Sequence, residues 1–368
     1  MKALIKRILR KVYYILKYGN GYCLPFIQAE KSMDAKNPRL NDLYAENQRK
    51  KCVKAGFTSD KLIWYDFAKY GKTDYISDRD HFSFMEMVDK AHYFIANDKL
   101  VCERFLSPFT KVVPTLGILY KGRFWNISGN LEIDTTEDFI REMKNGGVFY
   151  IKPNQGGSAT GIGRMYCKEG QFFWNDKSID SINEYIRSMG YECELLVQRQ
   201  FQQTGFSHDV NPGTLNTVRV VTMMSPHTGK PFVAWALHRF GRIGSYVDNV
   251  SKSGLSCPVD LETGCMRYAT IYPYDGVLRK VDRHPDSGIQ LAGVKIPQWE
   301  KVVDTCLGLA EKLPFMPLCG WDIVVSGEDV YMQELNYNPD IRGSQAHAPL
   351  LLNKEIKEFY NYYKEKYS

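Results

Sequence analysis

The chain has 368 residues, of which 13% are aromatic and 24% charged, and a formal net charge of +6. That length and balance describe a globular chain with room for two or three lobes, without long disorder. The charge excess is modest, basic residues are dispersed and no aromatic–basic motif occurs, so nucleic acid is excluded as a partner. The first 95 residues read as a mostly helical N-terminal region, with helices over 38–55, 60–70 and 80–96. It opens on MKALIKRILRKVYYILKY, residues 1–18. Leu4, Ile5, Ile8, Leu9, Val12, Ile15 and Leu16 recur at helical spacing, and six Lys or Arg with no acid fill the rest. The run is too interrupted to span a bilayer and lacks a signal-peptide core. A basic amphipathic helix of this kind either lies on an anionic membrane surface or packs its apolar stripe onto the body.

Further along, 98–106 continues as helix, 109–119 as strand and 137–145 as helix. Strand 148–152 ends in Lys152 and leads into the loop NQGGSATGIG before strand 163–167. Gly156, Gly157, Gly161 and Gly163 let backbone N–H groups approach an anion, and Ser158 and Thr160 add hydroxyl donors. Lys152 is placed to put a point charge on phosphate oxygens. By itself such a loop is equally a flexible hairpin. A helix over 179–189 and strands over 195–201, 217–224 and 233–240 follow. In the loop-like stretch 241–258, Asp248, Asn249, Lys252 and Ser253 border an acceptor pocket or belong to a surface excursion. A helix over 297–312 precedes 320–339, and 348–366 closes the chain as a helix.

Residues 320–339, GWDIVVSGEDVYMQELNYNP, carry the densest chemistry. Strands 320–326 and 330–336 flank a three-residue loop at 327–329, which sets Asp322 opposite Glu334. Alternation puts Glu334 and Asn336 on one face, joined there by Asp322. Three hard oxygen ligands suit Mg²⁺, which shares its shell with nucleotide phosphates. The other reading is a solvated surface hairpin, against which stands the cost of unpaired carboxylates inside apolar strands. There is no GxxxxGK[ST], no GxGxxG, and no HRD or DFG. Nine scattered cysteines with no CxxC pair point to reduced thiols in the cytoplasm and not to zinc.

The order Lys99, Lys152 with its Gly/Ser loop, a hinge strand over 195–201, then Asp322, Glu334 and Asn336 resembles the ATP-grasp superfamily. Glu334-x-Asn336-x-x-Pro339 is similar to the D-alanine–D-alanine ligases. LNTVRVVT at 215–222 and the run RFGRIGSYVDNVSKSGLSCPVDLETG at 239–264 resemble a narrower branch, the sugar-transfer-associated ATP-grasp proteins of polysaccharide gene clusters. The resemblance covers 96–352. It implies an α+β ATP-grasp fold, with lobes 96–195 and 196–352, each with an antiparallel sheet, enclosing ATP. The region 1–95 precedes them and helix 353–368 follows. It implies Lys99 and Lys152 as phosphate lysines and Gly156, Gly157, Ser158 and Gly161 as the cover over the phosphates. Gln198 and Arg199 fall at the adenine hinge, and Asp322, Glu334 and Asn336 become Mg²⁺ ligands. Arg219 faces the γ-phosphate or acyl phosphate, and Arg342 serves that charge or a substrate carboxylate. The implied activity is an ATP- and Mg²⁺-dependent carboxylate–amine ligase that forms a C–N bond through an acyl phosphate. Its partners are ATP, a small carboxylate such as an amino acid, and an amine or sugar acceptor in surface polysaccharide synthesis. A phosphotransferase acting on a sugar or a protein, or a nucleotide-binding scaffold without turnover, are the alternatives. The implied location is cytoplasmic, peripheral at the inner membrane face.

Overall fold

The computed structural model describes residues 11–17, 23–36, 39–129, 133–157, 161–272 and 275–367. Two seven-stranded antiparallel sheets carry the architecture. The first has strands β1 (Gly117–Tyr120), β2 (Arg123–Asn126), β3 (Val148–Pro153), β4 (Gly163–Lys168), β5 (Gln171–Trp174), β6 (Lys177–Ile179) and β7 (Leu195–Arg199), ordered β2-β1-β7-β3-β4-β5-β6. The second has β8 (Val218–Met224), β9 (Pro231–Phe240), β10 (Leu255–Pro258), β11 (Ala269–Ile271), β12 (Arg279–Val281), β13 (Leu318–Ser326) and β14 (Asp329–Tyr337), ordered β12-β11-β10-β9-β8-β13-β14. β7 lies between β1 and β3, so the first sheet runs to Arg199 and past the expected lobe edge at 195.

Each sheet buries one face through period-two alternation. Leu119, Phe149, Ile151, Met165 and Val197 pack against Phe139, Ile140 and Met143 of helix Thr136–Lys144 and Ile186 of helix Ile182–Arg187. Thr135 caps the first of these helices, its hydroxyl accepting from Asp138 N at 3.1 Å, so the helix starts at Thr136. In the second sheet Val218, Val220, Trp321 and Ile323 face helix Trp299–Lys312. Its other face is covered at one end by Phe84, Met85 and helix Lys354–Tyr367, leaving the remainder toward the first sheet.

Several expected elements are shorter. The strand over 109–119 is confined to β1, because Pro114 has no N–H for a ladder. The segment before it crosses to the second sheet, where Val113 N donates to Met332 O at 3.1 Å and Met332 N to Lys111 O at 2.9 Å. The helix over 60–70 shrinks to Lys61–Trp64. Tyr65 turns extended and stacks on Tyr75, centroids 4.6 Å apart, and aromatic burial outweighs the local helical pattern. The helix over 38–55 breaks at Tyr44, whose hydroxyl donates to Leu62 O at 2.8 Å. Ile179 belongs to β6, and the following helix starts only at Ile182. The stretch 241–258 ends in β10. Of the basic helix over 1–18, only 11–17 falls within the described residues, and it is helical.

Candidate functional site

The acidic hairpin over 320–339 forms with the expected pairing but by another route. β13 and β14 join through a two-residue turn at Gly327-Glu328, with Ser326 opposite Asp329, and not through a three-residue loop. A bulge between Asp322 and Ile323 then restores the offset, and Asp322 faces Glu334. Gly320, opposite Asn336, admits the close return of the chain: a Cβ there would stand 2.8 Å from Pro339 Cβ.

Charge is laid across four neighbouring strands on the face turned to the first sheet. Arg219 of β8 pairs in register with Asp322, and Arg239 stands two residues beyond Leu237, the β9 partner of Arg219. Asp322 is 3% exposed and both its oxygens are engaged. Oδ1 accepts from Arg219 Nε, and Oδ2 accepts from Arg219 Nη2 at 2.9 Å and lies 2.9 Å from Arg239 Nη2. Burial works to raise the Asp322 pKa, but the guanidiniums of Arg219 and Arg239 outweigh it and hold it at about 2. Arg239 Nη2 also donates to Thr217 Oγ1 at 2.6 Å, and its Nε lies 3.4 Å from Asp248 Oδ2. Asp248 in turn accepts from the Thr217 backbone N at 3.0 Å and from the Thr217 hydroxyl. Asn336 Nδ2 lies 3.5 Å from both Asp322 Oδ2 and Gly320 O.

The lysines approach from the other side. Lys99 opens helix Lys99–Leu106, capped by Asp98, which accepts from Val101 N at 3.0 Å. Its ammonium donates to Gly156 O at 2.5 Å and stands 3.5 Å from Glu334 Oε1, so it ties the glycine loop to β14. Lys152, at the end of β3, is only 6% exposed, and among the described residues no hydrogen bond or ion pair meets its ammonium. Burial lowers its pKa; Glu334 opposes that shift and Lys99 adds to it. Gly156 has φ +93° and Gly161 φ +76°, and Gly163 packs under Trp174, where a Cβ would stand 2.0 Å from the ring. Ser158 and Thr160 lie outside the described residues.

These groups line one cleft of about 1130 Å³ between the sheets. Gln198 to Gln203 form its hinge wall. The Gln198 amide donates to Val113 O at 3.1 Å, and Arg199 reaches away to Glu142 at 2.8 Å, so both side chains are already engaged by the protein. Arg342 also lines the cleft, but among its own partners: 3.4 Å from Asp340, 3.9 Å from Asp60, and over the rings of Trp64 and Tyr272. Asp248, Asn249 and Lys252 line the wall as well. The sequence reading left out Arg239 and Trp64. Arg239, a charge at the end of an apolar strand two residues past the partner of Arg219, was visible in principle; Trp64 reaches the cleft only by tertiary folding.

The donor set fits a hard divalent cation. Asp322 and Glu334 supply carboxylate oxygens and Asn336 an amide oxygen, all on one face. One oxygen from each would leave half of a six-oxygen shell open, as Mg²⁺ requires when phosphates and water share it. No group of three or more His, Cys, Asp or Glu arranged to hold a metal occurs among the described residues.

Residues 81–359 match the family described as sugar-transfer associated ATP-grasp. No curated protein matches the chain. Among solved structures, the VanG D-Ala:D-Ser ligase of Enterococcus faecalis is 11% identical, with a TM-score of 0.41 over 73% of this chain and 62% of that one. The N5-carboxyaminoimidazole synthetase of Staphylococcus aureus complexed with ADP is 10% identical, with a TM-score of 0.36 over 68% of this chain and 46% of that one. The D-alanine–D-alanine ligase of Bacillus anthracis complexed with ATP is 12% identical, with a TM-score of 0.38 over 74% of this chain and 68% of that one. The chain thus spans roughly half to two thirds of the length of these structures.

Proposed function

Since the chain belongs to the sugar-transfer-associated ATP-grasp family, we propose that it is an ADP-forming ligase that joins a carboxylate to an amine on a sugar or glycan precursor. The observation that carries this reading is Lys152, a buried ammonium at the cleft wall that no hydrogen bond or ion pair meets among the described residues. A buried cation without an anion is costly, and ATP phosphates are an anion of the right charge and size for this cleft.

The chain's groups divide the work. Lys99 and Lys152 hold phosphates under the glycine loop, and the hinge backbone at 198–203 receives the base. Arg219 and Arg239 share the Asp322 carboxylate and lend positive charge where the γ-phosphoryl group departs. Asp322, Glu334 and Asn336 would hold Mg²⁺, which supplies neutralisation of charge on the phosphate oxygens. The substrate carboxylate oxygen attacks the γ-phosphorus and the bond to the ADP oxygen breaks. An amine nitrogen then attacks the acyl carbon, phosphate leaves and the amine sheds a proton. No side-chain nucleophile is required.

The test withholds the amine. ATP, Mg²⁺, a panel of sugar acids and amino acids, and hydroxylamine are incubated with the protein and the products weighed. A hydroxamate formed in proportion to ADP is expected. A stable phosphorylated sugar or protein in its place overturns the ligase reading in favour of a phosphotransferase.

A further inference from the structure

We propose that the metal set is masked in the nucleotide-free protein: Arg219, Arg239 and Lys99 hold its ligands, and the triphosphate draws these cations off before the metal enters. The proposal rests on the ligase reading above for its nucleotide and adds an order of assembly.

All three members of the set are turned to protein partners. Asp322 is 3% exposed and offers no oxygen that is not already shared with a guanidinium. Arg219 engages Oδ1 through Nε and Oδ2 through Nη2, and Arg239 Nη2 lies 2.9 Å from Oδ2. Glu334 faces the Lys99 ammonium at 3.5 Å. Asn336 presents its amide nitrogen and not its oxygen, 3.5 Å from Asp322 Oδ2 and from Gly320 O. A metal arriving here must displace a cation or share a carboxylate with one.

The masking groups are the same ones that the ligase reading gives to phosphate. A guanidinium pairs with phosphate in the geometry it uses for carboxylate, and a triphosphate carries more charge than one carboxylate. Arg239 can leave Asp322 without losing its counter-ion. Its Nε lies 3.4 Å from Asp248 Oδ2, and its Nη2 donates to Thr217 Oγ1 at 2.6 Å. Asp248 is itself fixed, accepting from Thr217 N at 3.0 Å. Lys99 likewise keeps Gly156 O. A bare divalent cation has no such exchange to offer. It meets guanidiniums at Asp322, and beside Glu334 it meets the charges of Lys99 and Lys152, so Coulomb repulsion opposes its entry. The nucleotide therefore comes first, and the metal enters with it or after it.

The test measures Mn²⁺, standing in for Mg²⁺, on the nucleotide-free full chain. Electron paramagnetic resonance reads free and bound Mn²⁺ in wild type, Arg239→Gln, Arg219→Gln and Lys99→Met, and thermal melts identify the folded variants. The first two unmask Asp322 from adjacent strands and the third unmasks Glu334, so loss of one variant to misfolding leaves the others to decide. Each folded variant is expected to bind Mn²⁺ about tenfold more tightly than wild type. Adding Asp322→Asn to either arginine variant is expected to remove the gain. Unchanged or weaker Mn²⁺ binding in the folded variants overturns the mask; weaker binding is the result when an arginine merely supports a metal ligand from behind. A gain that survives Asp322→Asn overturns it as well. Calorimetry with a non-hydrolysable ATP analogue and Mg²⁺ separates the two readings. Wild type that ignores the analogue overturns the ligase reading, whereas analogue binding with no gain of Mn²⁺ affinity in the variants overturns the mask alone.

Discussion

Lys152 is buried at the cleft wall, and among the described residues no hydrogen bond or ion pair meets its ammonium. Replacing it by Met keeps the bulk of the stem and removes the charge. ATP affinity is expected to fall about ten- to a hundredfold, the scale of a hydrogen bond to a charged group. The melting temperature of the ligand-free protein should hold or rise, because a buried charge without a hydrogen bond or ion pair has been removed. Calorimetry and thermal melts check both halves, and equal ATP affinity in the two proteins would exclude a phosphate role. Glu334 differs, since it is paired with Lys99 at 3.5 Å. Glu334→Gln keeps the shape and deletes one charge from the hard-oxygen set. A folded variant that has lost most ADP release is expected; near-wild-type release would remove Glu334 from the metal set.

Two contacts between elements carry predictions. Asp89 lies 2% exposed between the N-terminal region and β13, its Oδ1 accepting from Leu318 N at 3.4 Å and its Oδ2 without a partner among the described residues. Burial pushes its pKa up to about 8. The native chain therefore keeps this proton across a range where the unfolded chain, near its ordinary value of about 4, has released it. Its contribution to stability is complete at low pH and is lost as pH rises from about 4 to about 8. Asp89→Asn is expected to remove that loss, so its advantage in urea unfolding grows with pH by at most about 1.4 kcal/mol per unit. A pH-independent difference would contradict it. The second contact joins the sheets across the cleft. The Tyr246 hydroxyl donates to Asp176 in the β5–β6 turn, and Arg164 pairs with Asp176 at 2.7 Å and lies over the rings of Tyr166 and Tyr246. Tyr246→Phe is expected to speed release of a fluorescent ADP analogue about fivefold in stopped flow, the worth of one hydrogen bond. An unchanged release rate would show that the contact does not hold the cleft shut.

At the scale of the whole molecule, two sheets enclose the cleft and the N-terminal region closes its end. Helical residues 11–17 turn Tyr14 toward the cluster of Phe26 and Phe82. Val12, Tyr13 and Leu16 remain 47%, 54% and 65% exposed. No helix among the described residues is long and apolar enough to cross a membrane. If the helix docks on an anionic membrane surface, these exposed apolar side chains and the neighbouring Lys11 and Lys17 would make the contact. Each basic residue there contributes about 1 kcal/mol, screened by salt, while the apolar part is not screened. The full chain is expected to float with anionic vesicles, less at high salt, and removal of residues 1–19 to abolish flotation with ATP binding intact. No flotation of the full chain, or unfolding on truncation, would make the helix part of the body.

The pairing of Asp322 with Glu334 was readable because it is local. Turn residues, a two-residue period and a dozen positions suffice to bring those carboxylates opposite each other, and an error in loop length was absorbed by one bulge. Lys152 at a strand end before a glycine loop was readable for the same reason, and with the hairpin it led to the family. The helices of the N-terminal region were overdrawn because local periodicity says nothing of Tyr65 meeting Tyr75. The hold of Arg219 and Arg239 on Asp322, the bridge from Lys99 to Glu334, and the presence of Trp64 beside Arg342 join residues far apart in the chain. Strand spacing could not supply them: they depend on which strands lie side by side and how the two sheets face, and that is decided by burial of both cores together.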